Sequence, residues 1–367
     1  MKTILLITTG GTIACRKNEA GVYSPELRGR ELTACVPEIA SICEPRYNDI
    51  YQTPLDSTNI QLSDWALMSE AIYAGLTQDC DGIVVTMGTD TMSYTAAMLS
   101  FMLINPHKPV ILTGSQIPMT APGTDGKQNL LDAFQTALAG YPGIYIVFDG
   151  KIIYGTRASK VDALSSCAIE PINVPRAGSV TAGGVLMEHP IKIPAGGETR
   201  MDNRVCGDVF LLKLIPGLVP DKIDTLLDLG FKGIVLEVFG LQGIPTASDG
   251  RASVYQSIKK VLERGKTIPI AATTQCVKGE TNFGVYALGG RELLEAGLIP
   301  CYDMTTEAAV TKLMWLLGHD YSVGEIKAEM LRNYCGEISD TAASRAWTPE
   351  LGASGEDRRD SGVNLPV

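Results

Sequence analysis

Short, densely apolar runs alternate along this chain with longer stretches in which apolar residues recur every three or four positions. The first run, Lys2 to Thr8, carries Ile4, Leu5, Leu6 and Ile7 at its centre with no polar alternation. That pattern predicts a strand buried on both faces, as in a parallel sheet. Residues 47 to 53, Gly82 to Thr86, Pro109 to Thr113 and Ile144 to Phe148 read as further strands. Helical stretches lie between them. One sets Trp65, Met68, Ile72 and Leu76 on one face; one runs from Met92 to Ile104 and stops before Pro106; one spans Lys127 to Ala139, with Gly140 as its stop. Residues 15 to 31 are polar, carry Gly and Pro, and read as a long mobile loop directly after Thr12. Long loops beside ligand sites often act as lids. Tyr23, the loop's one aromatic, either serves that lid or merely anchors the loop.

A second strand–helix series begins at Val209. Its strands are Val209–Ile215, Ile234–Phe239 and Ile268–Thr273, and its helices Asp221–Leu229, Arg251–Glu263, Arg291–Ala296 and Thr306–Leu317, with a last helix from Val323 to Tyr334. The alternation predicts an α/β protein whose first unit is a doubly wound parallel sheet. The expected division is a unit at 1–190, a Pro- and Gly-containing linker at 191–208, a second unit at 209–337 and a polar tail at 338–367, disordered or peripheral.

Composition narrows the chemistry. Of 367 residues, 45% are hydrophobic and 20% charged, and the net charge is −10. Such a surface repels a phosphate backbone, so nucleic acid is not an expected partner. No apolar run approaches the roughly 18 residues of a membrane span, and the N-terminus lacks the form of a signal peptide; a cytoplasmic location is expected. The nine cysteines are scattered, without a Cys-x-x-Cys pair, and read as reduced, mostly buried thiols. His107, His189 and His319 are the only histidines, and none has metal-ligand spacing to another. Neither a metal site nor a histidine triad is expected.

Three strands end alike: in Thr9-Gly10-Gly11-Thr12, in Gly88-Thr89-Asp90-Thr91 and in Thr113-Gly114-Ser115-Gln116. One such ending reads equally as a phosphate loop or a tight βα turn. Three of them deliver hydroxyls and amides to the carboxyl edge of one sheet, where open α/β sheets bind ligands. Neither GxGxxG nor GxxxxGK[ST] occurs, which weakens a nucleotide reading. A threonine hydroxyl needs a base and a polarised carbonyl to act as nucleophile. Lys160 is the candidate base, or else a surface charge. Asp90 either holds that lysine or caps the Met92 helix, and Ser57 either meets a ligand or caps the approach to a helix.

Thr8 to Ala14 together with Met87 to Met92 resembles the two signatures of the bacterial-type L-asparaginase family. Thr113 to Pro118, Asp125-Gly126 with Asn129-Leu130, and Thr274-Gln275-Cys276 with Gly279, Asn282 and Gly284 are similar to its cytosolic type I branch. The resemblance covers roughly residues 1 to 337. It implies a larger N-terminal and a smaller C-terminal α/β domain, and a homotetramer in which a neighbouring subunit completes each site. It also implies cofactor-free hydrolysis of L-asparagine to L-aspartate and ammonia. By motif, Thr12 is the nucleophile and Tyr23 its lid-borne partner. Thr89, Lys160 and Asp90 form a second polar triad; Asp90 and Ser57 hold the α-ammonium and α-carboxylate; the amide next to Ser115 lies by the scissile group. Backbone N–H groups at Gly11 and Thr89 are the expected oxyanion donors.

The chain also departs from that pattern. Thr58 stands where periplasmic-type members carry Gln after the serine, which bears on substrate binding and glutamine tolerance. Phe239-Gly240-Leu241-Gln242 lacks the family's Gly-Asn turn. Some type I members place an allosteric asparagine site near the Cys276 position, using an arginine; Glu237 occupies that place here, and a carboxylate does not hold a carboxylate. Weak or absent allostery is expected, with Cys276 a buried thiol. The competing readings are a glutaminase–asparaginase, the tRNA-linked amidase of the same family, and a non-catalytic amino-acid sensor that kept the pocket.

Overall fold

In the computed structural model, described here for residues 1–17, 21–193, 197–219, 221–246, 253–263, 268–285 and 289–339, the chain forms two α/β units. The first holds an eight-stranded sheet whose spatial order is Gly184–Met187, Gly178–Thr181, Lys151–Tyr154, Gly143–Phe148, Pro109–Thr113, Gly82–Thr86, Thr3–Thr8, Glu44–Asp49. The last five of these run parallel; the first three extend the sheet as an antiparallel meander. Thr8 pairs with Thr86, and Thr86 with Thr113, so three carboxyl strand ends lie level. The smaller second unit has four parallel strands, Val209–Lys213, Gly233–Val238, Ile270–Thr274 and Ile299–Pro300. Among the described residues, no helix is long and apolar enough to cross a membrane.

Apolar periodicity located the central strands because both of their faces are covered; Ile83, Val84 and Val85 are wholly buried. It misplaced the second strand, expected at 47–53. The pairing runs from Glu44 to Asp49, opposite Thr3 to Thr8. This is an edge strand of sequence Glu-Pro-Arg-Tyr-Asn-Asp, so no apolar signal marks it. The stretch 15–31 also holds more structure than a mobile loop: Cys15–Lys17 pairs with Tyr23–Pro25 as an antiparallel ribbon, and a short helix starts at Gly29. The last helix ends at Leu331 rather than Tyr334. The Lys312 ammonium takes the carbonyls of Met330 and Arg332, so the chain turns there instead of continuing the helical ladder.

One hydrophobic cluster spans the two units, and each unit has a second of its own. The Met92–Met102 helix packs on the Thr306–Leu317 helix, burying Met98, Phe101, Leu313 and Leu316, with Phe101 stacked on Trp315 at 6.1 Å. The linker is pinned to both sides: Asp202 N–H donates to the Met102 carbonyl (2.7 Å), and Trp315 Nε1 to the Asp202 carbonyl (3.1 Å). The start of the expected tail is not peripheral. Ile338 is buried, and Ser339 is bonded through its N–H and hydroxyl to Asp303. The rest of that tail, from residue 340, lies outside the described residues.

Candidate active site

The site is built where the level strand ends meet. Gly10 and Gly11 have φ of 127° and 76°, in a region that side chains disfavour. Their hydrogens are needed as well as their torsions. A Cβ on Gly11 would lie 2.1 Å from the Gly88 nitrogen, and one on Gly88 would lie 2.4 Å from Ser57 Oγ. Three loops therefore touch through glycine, and Thr12 and Thr89, each one residue further on, flank that contact. Thr12 begins a 3₁₀ turn, Thr12–Ala14.

Thr89 is buried and centres a hydrogen-bond chain. Lys160 Nζ donates to Thr89 Oγ1 (2.9 Å) and to Asp90 Oδ1 (2.6 Å), and the Thr89 hydroxyl donates to Gln116 Oε1 (3.0 Å). The lysine side chain is largely covered and the Asp90 carboxylate is more than half exposed. An ammonium and a carboxylate thus stand at the mouth with a hydroxyl beneath. Asp90 does not cap the Met92 helix; Thr91 occupies that position and binds the Ser57 carbonyl through its hydroxyl (3.0 Å). Ser57, also buried, opens a 3₁₀ turn capped by Asp56.

Lys160 sits on a three-residue strand, Ala158–Lys160, paired with Ile169–Pro171. The second unit clamps this strand. Arg157, wholly buried, donates to the carbonyls of Gly336 (2.6 Å) and Asp303 (2.7 Å) and pairs with the Asp303 carboxylate. Ser159 donates to Glu307 (2.6 Å), a carboxyl whose pKa is pushed up by burial and by the charge of Glu237, against the opposing bond from Ser159.

Several of the expected residues have local partners in the structure. The Gly11 N–H donates to the Leu55 carbonyl at 2.8 Å, so it is not free for an oxyanion. Among the described residues no hydrogen bond is made by the N–H groups of Thr12 and Thr89. The Thr58 N–H and hydroxyl both bind Asp56 Oδ1 (3.0 and 2.9 Å), which turns that side chain to a local cap. The Ser115 hydroxyl is spent on the Ile117 carbonyl (2.7 Å). Tyr23 is 42% exposed on the ribbon with Lys17 over its ring, and no hydrogen bond joins it to Thr12 among the described residues. Cys276 is exposed rather than buried, because it follows the end of the Ile270–Thr274 strand and turns outward, its N–H on Thr274 Oγ1. Glu237 pairs with Lys213 (3.2 Å) and accepts from Thr306 (2.8 Å). Gln116 was legible only as a polar residue at a strand end; its contact with Thr89 depends on the register of neighbouring strands. The described residues hold no cluster of His, Cys, Asp or Glu suited to a metal ion.

Residues 3–192 match the family described as Asparaginase, N-terminal, and residues 208–330 match the Glutaminase/Asparaginase C-terminal domain. The chain is 41% identical to an L-asparaginase of Thermococcus kodakarensis, across 92% of this chain and 99% of that protein. It is 36% identical to a glutamyl-tRNA(Gln) amidotransferase subunit of Pyrococcus furiosus, across 92% of this chain and 77% of that one. The solved thermostable L-asparaginase from Thermococcus kodakarensis superposes with a TM-score of 0.83 at 39% identity, covering 92% of this chain and 99% of its own. The chain belongs to the asparaginase family and is an enzyme of it.

Proposed function

We propose that the chain hydrolyses L-asparagine to L-aspartate and ammonia through a threonine ester. The observation that carries this reading is the junction of Thr12 with the Lys160–Thr89 chain at adjacent strand ends, supported by the near full-length similarity to an L-asparaginase. Asp90 holds the substrate's α-ammonium and Ser57 its α-carboxylate. The Thr12 hydroxyl attacks the side-chain amide carbonyl, and the N–H groups of Thr12 and Thr89 take the developing oxyanion. Each donor of this kind is typically worth about 3–4 kcal/mol. The Thr12 proton leaves with ammonia, and a β-aspartyl ester remains on Thr12. Water then attacks the ester and its proton passes through Thr89 to a neutral Lys160; as the ester bond breaks, that proton returns by the same route to the Thr12 oxygen, so that aspartate leaves and Thr12 is regenerated. Tyr23, exposed on the ribbon, is the residue that moves over the nucleophile once substrate is bound. No step needs a metal or cofactor.

The test is ammonia release at saturating asparagine. Thr12→Ala is expected to lose nearly all turnover while its circular dichroism stays that of the wild type; turnover near the wild-type rate would end the scheme. The similarity to a tRNA-dependent amidotransferase favours a second reading, an amidase acting with tRNA. Release from glutamine that rises when tRNA is added would select it, and the net charge of −10 argues for the free amino acid. Assembly as a homotetramer is part of the proposal, and a native mass of about four chains is its signature.

A further inference from the structure

The side-chain amide of Gln116 touches Thr89 and has no place in the steps above. Its backbone is held hard. Gln116 N–H and Ile117 N–H donate to the two oxygens of Asp125 (2.9 Å each), and Asn129 Nδ2 bonds both Asp125 and the Gly114 carbonyl. The side chain keeps its own torsions, the terminal one broad and two-fold. An ammonium can only donate, so with Lys160 donating to Thr89 the single hydroxyl proton of Thr89 must go to Gln116 Oε1. That arrangement leaves Gln116 Nε2 buried and without a hydrogen bond among the described residues. A buried donor left in this way is unfavourable.

The opposite polarity moves the mismatch from a buried donor to a buried acceptor, which folded proteins tolerate better. When Lys160 is an amine, it accepts the Thr89 hydroxyl proton and still donates an N–H to Asp90. The Thr89 oxygen is then open to a donor, and a half-turn of the amide supplies Nε2. We propose that Gln116 is a positioning residue whose amide reverses with the hydrogen-bond chain, accepting from Thr89 while Lys160 donates and donating to Thr89 once Lys160 accepts. The second arrangement is the one in which Lys160 can draw the Thr89 proton as Thr89 takes one from water. Gln116 thus favours the base form of the pair, because there its amide donates to Thr89 and leaves a carbonyl, the less costly group, in the place without a partner. This inference rests on the amidohydrolase reading of the site.

The test uses the full chain with Gln116→Met, which keeps the side-chain length without polar atoms, and Gln116→Glu, which keeps the acceptor and loses the donor. In both, kcat for asparagine at neutral pH is expected to fall by about tenfold and to recover as pH rises, with KM changing less than about threefold; the acidic limb of the rate profile moves up by roughly one pH unit. The second readout is the pH midpoint for acetylation of Lys160 by acetic anhydride, followed by peptide mass spectrometry without substrate. That midpoint is expected to move up in both variants, and further in Gln116→Glu, whose added carboxylate favours the charged lysine. A limb and midpoint that stay in place in both variants, even with a lower kcat, would overturn the proposal, as would an effect confined to KM. Because the acetylation midpoint needs no turnover, it decides the role of Gln116 even if the wild type hydrolyses no amide, the separate result that would sink the hydrolase reading.

Discussion

Replacing Lys312 by methionine is expected to cost the protein about 3–5 kcal/mol, the range for breaking a buried ion pair by removing one partner. Lys312 and Glu337 are both fully buried and 2.7 Å apart. The Lys312 ammonium uses all three protons, on Glu337 and on the carbonyls of Met330 and Arg332. Glu337 in turn accepts from the N–H groups of Tyr334 and Cys335. Methionine fills much of the lysine's volume but leaves a buried carboxylate without its counter-charge and two carbonyls without their donor. Since whole domains are stable by only about 5–15 kcal/mol, this single change removes a large share.

Its pH dependence follows with a definite sign. Burial raises the pKa of Glu337, but Lys312 and the backbone donors outweigh it and hold the carboxyl below its ordinary value. A depressed pKa contributes stability that is present above the unfolded value of about 4.3 and is lost as pH falls from there through the lower folded value. In Lys312→Met the carboxyl can relieve itself by taking a proton, so the penalty is largest near neutrality and shrinks below about pH 5. Urea unfolding read through Trp315, whose ring meets Tyr334 edge-on at 5.4 Å, measures both effects. A further Glu337→Gln change, which restores a neutral acceptor for the backbone N–H groups, should recover roughly 1–3 kcal/mol. A loss below about 1 kcal/mol, or one that stays constant from neutral to acid pH, would refute the reasoning.

Two further predictions concern the site and its surroundings. Gly11→Ala forces a Cβ against Gly88 at a φ of 76°, and it should abolish ammonia release while costing about 1–3 kcal/mol of stability in denaturant titration; a fully active variant would show that the two loops need not touch. With Glu237 tied to Lys213 and Thr306, the asparagine saturation curve is expected to be hyperbolic in both the wild type and Cys276→Ala, and a sigmoidal curve that the substitution abolishes would show an allosteric site there.

Much of the architecture could be read from local pattern, since a strand buried on both faces must be apolar throughout and an amphipathic helix must repeat. Ile4 to Ile7, Ile83 to Val85 and the helix from Met92 carry that signature. The glycine–hydroxyl endings after three of these strands likewise placed Thr12, Thr89 and Asp90 on one sheet edge, because parallel strands have a single carboxyl edge. What local pattern could not supply is anything set by register or by contacts distant in sequence. The polar edge strand Glu44–Asp49 is defined only by its partner. Gly11 loses its N–H to Leu55, and Thr58 turns to Asp56, through loop geometry no periodicity encodes. Lys160 reaches Thr89 across 71 residues of chain, on a strand that Arg157 and Ser159 fasten to residues about 150–180 positions away. The sequence by itself determined which strand ends carry reactive groups. The tertiary structure decided which groups meet, because a hydrogen bond a few ångströms long depends on strand register and on how the second unit packs against the first.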